Sequence, residues 1–183
     1  LEFRRVLFRS PTLKWILAVV FVSSATFQPF NMFWSLIFRD LSGDASWLGS
    51  MWMFIVLASA VGNWLTRKST SVHRTSIAIS VLYMGILMVL TSFYPILWFV
   101  FTAFVLHESG RGALETLIDT YSNRFIPNEI RATASSLVST VMMLGNLVGL
   151  QLFGALTEVF MPLTVWSISA GVLTLLGFWC LKK

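Results

Sequence analysis

Residues 132–157 read ATASSLVSTVMMLGNLVGLQLFGALT, a run without an aspartate, glutamate, lysine or arginine, closed by Arg131 on one side and Glu158 on the other. A helix crossing the roughly 30 Å hydrocarbon layer of a bilayer needs about 20 apolar residues, and this run is long enough. Inside lipid the backbone must satisfy its own hydrogen bonds, so a helix is the structure the run predicts. Outward from it lie five more such stretches, at residues 13–38, 47–65, 76–93, 96–121 and 163–181. The breaks between them, RDLSGDAS, TRKSTSVHRT, SFYP, SNRFIPNEIR and EVFMP, are too short to hold a soluble domain. The predicted fold is therefore all-α, a polytopic membrane bundle of six transmembrane helices whose chemistry lies within or between the helices.

Composition agrees. Of 183 residues, 56% are hydrophobic and only 11% charged, against roughly 25% charged in a soluble domain. Eight tryptophans and sixteen phenylalanines suit a chain that needs interfacial anchors. One cysteine, Cys180 in an apolar run, leaves no intramolecular disulfide and no cysteine metal site, and no metal or cofactor is expected. Residues 1–10, LEFRRVLFRS, resemble the translation of a sequencing-adapter oligonucleotide and are set aside as a probable artefact. Without them ten basic residues face seven acidic ones, a net charge of +3, and the protein is expected to continue upstream of Pro11.

The distribution of charge predicts a topology. With six spans, both termini share a side with the second and fourth loops, and that side holds Lys14, Arg67, Lys68, Arg74, Arg124, Arg131, Lys182 and Lys183. The opposite side holds only Arg39, while Arg111 lies within a span. Basic residues gather on the cytoplasmic side of membrane proteins, so both ends are expected there. This use of the positive charge points to a lipid bilayer as partner and away from nucleic acid.

Charged groups in the membrane are costly unless they pair or face a cavity, so they mark candidate function. The fourth span contains His107, Glu108, Arg111, Glu115 and Asp119. At about 100° per residue the last four fall on one face, and Arg111 stands three and four residues from Glu108 and Glu115, the spacing of helical ion pairs. Burial favours the protonated form of a carboxyl and a neighbouring guanidinium the ionised form. Glu108 or Glu115 could thus load and release a proton as contact with Arg111 changes. Asp119, nearest the helix end, is expected to pair with a loop arginine, and His107 to be a packed neutral side chain. The first span carries a milder stripe of Ser24, Gln28, Asn31 and Ser35, spaced four, three and four apart. Two striped helices three positions apart in the order of spans suggest two three-helix repeats whose first helices line a shared cavity, with the smooth third and sixth spans facing lipid. Pro29 predicts a kink or break in the first span, which in transporters often accompanies a binding site. Gly145 and Gly149 form a GxxxG that predicts close helix packing.

Residues 110–158, GRGALETLIDTYSNRFIPNEIRATASSLVSTVMMLGNLVGLQLFGALTE, resemble helices ten and eleven of the major facilitator superfamily. The matches are Gly110-Arg111-Gly112, Glu115, Asn123-Arg124, Pro127 and Arg131-Ala132-Thr133. In that family a proline followed by Arg-Ala-Thr marks a cytoplasmic loop. Residues 62–74, GNWLTRKSTSVHR, resemble the family's loop signature at Gly62 and Arg67, but Thr66 stands where the signature has its gating acid.

The resemblance implies a twelve-helix secondary transporter, in a bacterial inner membrane, that works by alternating access. Residues 11–183 would be its C-terminal transmembrane domain, helices seven to twelve, with the N-terminal half missing. Helices seven and ten would line the cavity. The residues assigned to the substrate and proton pathway are Glu108, Arg111, Glu115, Asp119, Gln28 and Asn31, and those assigned to the cytoplasmic loop and gating are Gly62, Arg67, Pro127 and Arg131. The expected function is movement of a small solute coupled to protons. A non-transporting membrane sensor or assembly protein is the alternative. A membrane-embedded enzyme is disfavoured by the absence of HExxH and GxSxG, and ATP-driven transport by the absence of GxxxxGK[ST].

Overall fold

The computed structural model describes residues 10–68 and 72–182. Residues 1–9 of the set-aside segment, residues 69–71 of the second loop and Lys183 lie outside the described residues. Among the described residues six α-helices follow one another: α1 (Pro11–Ser42), α2 (Leu48–Arg67), α3 (Arg74–Leu90), α4 (Leu97–Phe125), α5 (Arg131–Leu156) and α6 (Pro162–Lys182). A 3₁₀ turn, Asn128–Ile130, leads into α5, and no strand occurs among the described residues. Four helices are long and apolar enough to cross a membrane: α1, α2, α5 with its preceding turn, and α6. α3 is apolar but only 17 residues long, and α4, at 29 residues, carries the charges.

Local signals explain the boundaries. The Ser10 hydroxyl accepts the Leu13 N–H at 3.3 Å and Pro11 occupies the first turn of α1, where a missing N–H costs nothing. α1 ends at Gly43, whose φ of 70° is left-handed, a conformation glycine adopts without strain. α4 ends before Pro127, with Ile126 extended, because the proline ring disfavours helical geometry in the residue before it.

Successive helices alternate in direction. Arg74 at the start of α3 donates to the Tyr121 hydroxyl near the end of α4 and to the Thr12 hydroxyl at the start of α1. Leu13 packs with Ala134 at the start of α5. Lys14, Arg67, Lys68, Arg74, Arg124, Arg131 and Lys182 therefore collect at one end of the bundle and Arg39 at the other.

The tightest pairings are α1 with α5, α2 with α4 and α3 with α6, followed by α3 with α4 and α1 with α6. The core runs between α1, α3, α4 and α6, centred on Phe30, Phe38, Phe104, His107 and Trp166, all at most 2% exposed. Two seams have no room for side chains. Gly145 and Gly149 lie against the backbone carbonyls of Phe21 and Ala25 on α1, and Gly62 and Gly112 against those of Ser109 on α4 and Ser59 on α2. The GxxxG expectation is met. Gly62, by contrast, sits inside α2, not in a loop, because the helix runs five residues beyond it and its missing side chain is what admits α4.

α1 is not broken at Pro29. The helix continues to Ser42, and the neighbouring α6 bonds two backbone carbonyls close to the ring. The Trp166 indole N–H donates to the Pro29 carbonyl at 2.8 Å and the Ser169 hydroxyl to that of Thr26 at 2.6 Å. The Ala25 carbonyl, deprived of its helical donor by the proline, faces Gly149. Replacing Trp166 with phenylalanine removes the donor and part of a fully buried ring system. The variant is expected to lose about 2 kcal/mol or more of stability, read as a lower midpoint of thermal unfolding in detergent; an unchanged midpoint would show that neither the bond nor the packing of the indole contributes.

α3 and α6 bury one side against each other, with Met84, Met88, Leu173 and Trp166 fully inside, and expose Ile79, Ile86, Leu175 and Phe178 on the other. The apolar surface of α3 and α6 thus serves two faces, one in the core and one outward. α2 and α5 are the most exposed, with Trp52, Phe54, Trp64, Met143 and Leu147 each about half accessible or more.

Candidate functional site

The polar stripes of α1 and α4 meet. Arg111 donates from Nη1 to Asn31 Oδ1 at 2.7 Å, and the same nitrogen lies 3.5 Å from Glu108 Oε2. Its Nε is 3.9 Å from Glu115 Oε1, a loose approach. The guanidinium also stands 5.5 Å from the centre of the Phe27 ring, where the ring face attracts a cation. Helical spacing brings Glu108, Arg111 and Glu115 onto one face, and the packing of α1 across α4 supplies Asn31.

Burial falls along the stripe. The Glu108 side chain is 7% exposed, Arg111 27% and Glu115 65%. Glu108 is held from two sides, since its second oxygen lies 3.2 Å from His107 Nδ1. His107 is fully buried, stacked on Phe104 and edged by Phe27 and Phe30. Its Nε2 has no hydrogen-bond partner among the described residues. His107 is packed as expected, and it also touches Glu108, a contact the sequence reading did not foresee. The two residues are adjacent in sequence, and helical periodicity places adjacent side chains about 100° apart. Asp119 has no arginine or lysine within ion-pair distance among the described residues, so the expected loop pairing is absent. The reason is position: Asp119 opens into a cavity.

Two cavities flank Arg111. One, of about 340 Å³, lies between α1, α2 and α4 and is lined by Asn31, Trp34, Trp52, Asn63, Glu108, Arg111 and Glu115 among others. The other, of about 530 Å³, lies between α1, α4 and α5 and takes in Ser24, Gln28, Asn31, Arg111, Glu115, Asp119 and Asn146. All six residues assigned to the pathway line one cavity or the other, and Asn31, Arg111 and Glu115 line both. Such volumes are in the range of small-molecule sites, roughly 300–1,000 Å³.

Sequence reasoning missed Asn146, whose Oδ1 accepts from Gln28 Nε2 at 2.7 Å. The signal was there: a lone amide between the two glycines of a charge-free span. Asn63 and Ser59 on α2 were missed too: they stand four apart on one face, but both are uncharged and two residues make only a short stripe.

The residues assigned to gating lie apart from the cavities. Arg67 is exposed at the end of α2. Thr66, in place of the family's acid, bonds back to the carbonyls of Gly62 and Asn63, each at 3.0 Å. Pro127 is exposed beyond α4, and Arg131 opens α5 and donates to the Asn123 carbonyl at 3.3 Å.

Residues 3–168 match the family model described as the MFS_1 like family. No curated protein and no solved structure matches the chain.

Proposed function

The chain belongs to the MFS_1 like family, a transporter family, and from that premise we propose that it is a six-span half of a secondary transporter that moves a small solute by alternating access, coupled to protons. The observation that carries this reading is the Asn31–Arg111–Glu108 contact between α1 and α4, set between two cavities that share it. Buried ionisable groups beside cavities are the usual mark of a solute or proton path. A wholly structural cluster would have no reason to leave Asp119 unpaired and Glu115 largely open.

The repeat architecture is supported by the pairing of the helices. Exchanging α1–α3 with α4–α6 turns the α1–α5 contact into α4–α2 and the α3–α4 contact into α6–α1, and returns α3–α6 to itself. All of these contacts occur, as expected if the helices form two related trios. The basic end of the bundle would face the cytoplasm of a bacterial cell, and the exposed faces of α2 and α5 would meet lipid or the other half of the protein. The transporter family favours solute movement over catalysis.

Glu115→Gln tests the coupling. In the whole protein, reconstituted in vesicles, uphill uptake or efflux driven by a proton gradient is expected to be lost while expression and folding stay intact. Uphill transport at the wild-type rate would remove Glu115 from the mechanism.

A further inference from the structure

The larger cavity has a polarity that selects among solutes, and we infer that it takes a small organic cation, a protonated amine, with its ammonium at Asp119 and Glu115 and a hydrogen-bonding edge provided by Gln28 and Asn146. This inference rests on the transporter reading and specifies its substrate class.

Consider first the charge. The cavity is lined by two carboxylates, Glu115 and Asp119, and by one guanidinium, Arg111. That guanidinium is already engaged by Asn31 and Glu108 and stands over Phe27. Glu115 approaches it only to 3.9 Å, and among the described residues no cationic side chain is within ion-pair distance of Asp119. The wall therefore has negative charge to spare and no free positive charge. A cation gains from that wall in a medium less polar than water, and an anion meets repulsion.

An acidic wall alone does not define a ligand, and the amide pair supplies the second observation. Gln28 is only 8% exposed. Its side-chain nitrogen donates to the Ser24 carbonyl at 3.1 Å and to Asn146 Oδ1 at 2.7 Å. A backbone carbonyl can only accept, so the first bond fixes which end of the Gln28 amide is nitrogen, and the second fixes Asn146 in turn. Gln28 Oε1 and Asn146 Nδ2 are left without a protein partner among the described residues. Neither atom is sealed off from the cavity that both residues line. A nine-tenths buried side chain that lines a cavity and has an unused, accessible acceptor is poised for a donor from a ligand. Phe27 adds an apolar wall.

Three compounds on one skeleton test the assignment: tyramine, a cation; tyrosol, its neutral alcohol; and 4-hydroxyphenylacetate, an anion. With the whole protein in nanodiscs, tyramine is expected to bind at least about tenfold more tightly than tyrosol, and the anion least of all. Asp119→Asn should remove that preference by weakening tyramine far more than tyrosol; Asp119→Glu should keep it. Asn146→Ala should weaken both tyramine and tyrosol. Equal or tighter binding of the anion, no detectable tyramine binding, or a preference untouched by Asp119→Asn would overturn the inference. Uptake into vesicles is measured alongside. Cation-selective binding without uptake supports the inference and removes the transporter reading, whereas uptake that prefers tyrosol or the anion keeps the transporter and overturns the cation assignment.

Discussion

Arg111→Ala is expected to lower solute movement by at least about a hundredfold, equivalent to about 2.7 kcal/mol, without unfolding the bundle. The substitution removes the only hydrogen bond among the described residues that joins the α4 charges to Asn31 on α1 and takes away the cation beside the buried Glu108. Breaking a buried hydrogen-bonded charge pair costs several kcal/mol, much of it from the partner left behind. Glu108 has a second partner in His107 and can also take a proton, so the cost to folding is limited. Activity does not share that protection, since both cavities use the lost side chain. Arg111→Lys keeps the charge and loses the planar fork that reaches Asn31 and Glu108 together, and is expected to fall between the two. The measurements are initial rates in vesicles together with the unfolding midpoint. Full transport by Arg111→Ala would sink the proposed pathway. A collapse of stability with transport lost in proportion would assign Arg111 to packing.

Gly112→Leu and Gly62→Leu should each destabilise the bundle by about 3 kcal/mol or more, at the upper end of what overpacking costs. A side chain at Gly112 would collide with the Ser59 carbonyl and one at Gly62 with that of Ser109. Neither obstacle is the movable end of a side chain, so relief requires α2 and α4 to part. That separation would also open the smaller cavity, whose walls these helices supply. Gly171→Ala is the control: nothing lies within 4 Å of that position, and the variant should unfold at or above the wild-type midpoint. Wild-type midpoints for both leucine variants would mean that the seam is not closed as described.

Where the helices lie could be read from the sequence because apolar runs and their polar breaks are local. The run at residues 132–157 became Arg131–Leu156, and that at 96–121 became Leu97–Phe125. The α4 stripe was legible for the same reason, since Glu108, Arg111, Glu115 and Asp119 recur at the period of one helix. Which helices embrace was not legible. That α1 lies along α5 and α2 along α4 depends on glycines whose partners are remote in the chain, and a glycine does not name its partner. Asn146 escaped for a related reason: its role exists only once α5 is placed against Gln28. Pro29 does not end α1, which runs on to Ser42, and the bonds that Trp166 and Ser169 make to the carbonyls of Pro29 and Thr26 come from a helix far along the chain. Asp119 misled because its place near the helix end suggested a loop partner, whereas its side chain opens on the cavity.

The neighbours of α1 hold it by its main chain. Trp166 and Ser169 bond the carbonyls of Pro29 and Thr26, while Gly145 and Gly149 rest on those of Phe21 and Ala25. A peptide carbonyl is present whatever residue carries it. These holds do not depend on which side chains α1 carries, although Gln28 and Asn31 also bond Asn146 and Arg111 across the cavity face. A change of residue on that face leaves the main-chain contacts in place, and only the bonds of the replaced side chain, such as those of Gln28 and Asn31, need a substitute when the cavity is rewritten for a different cargo.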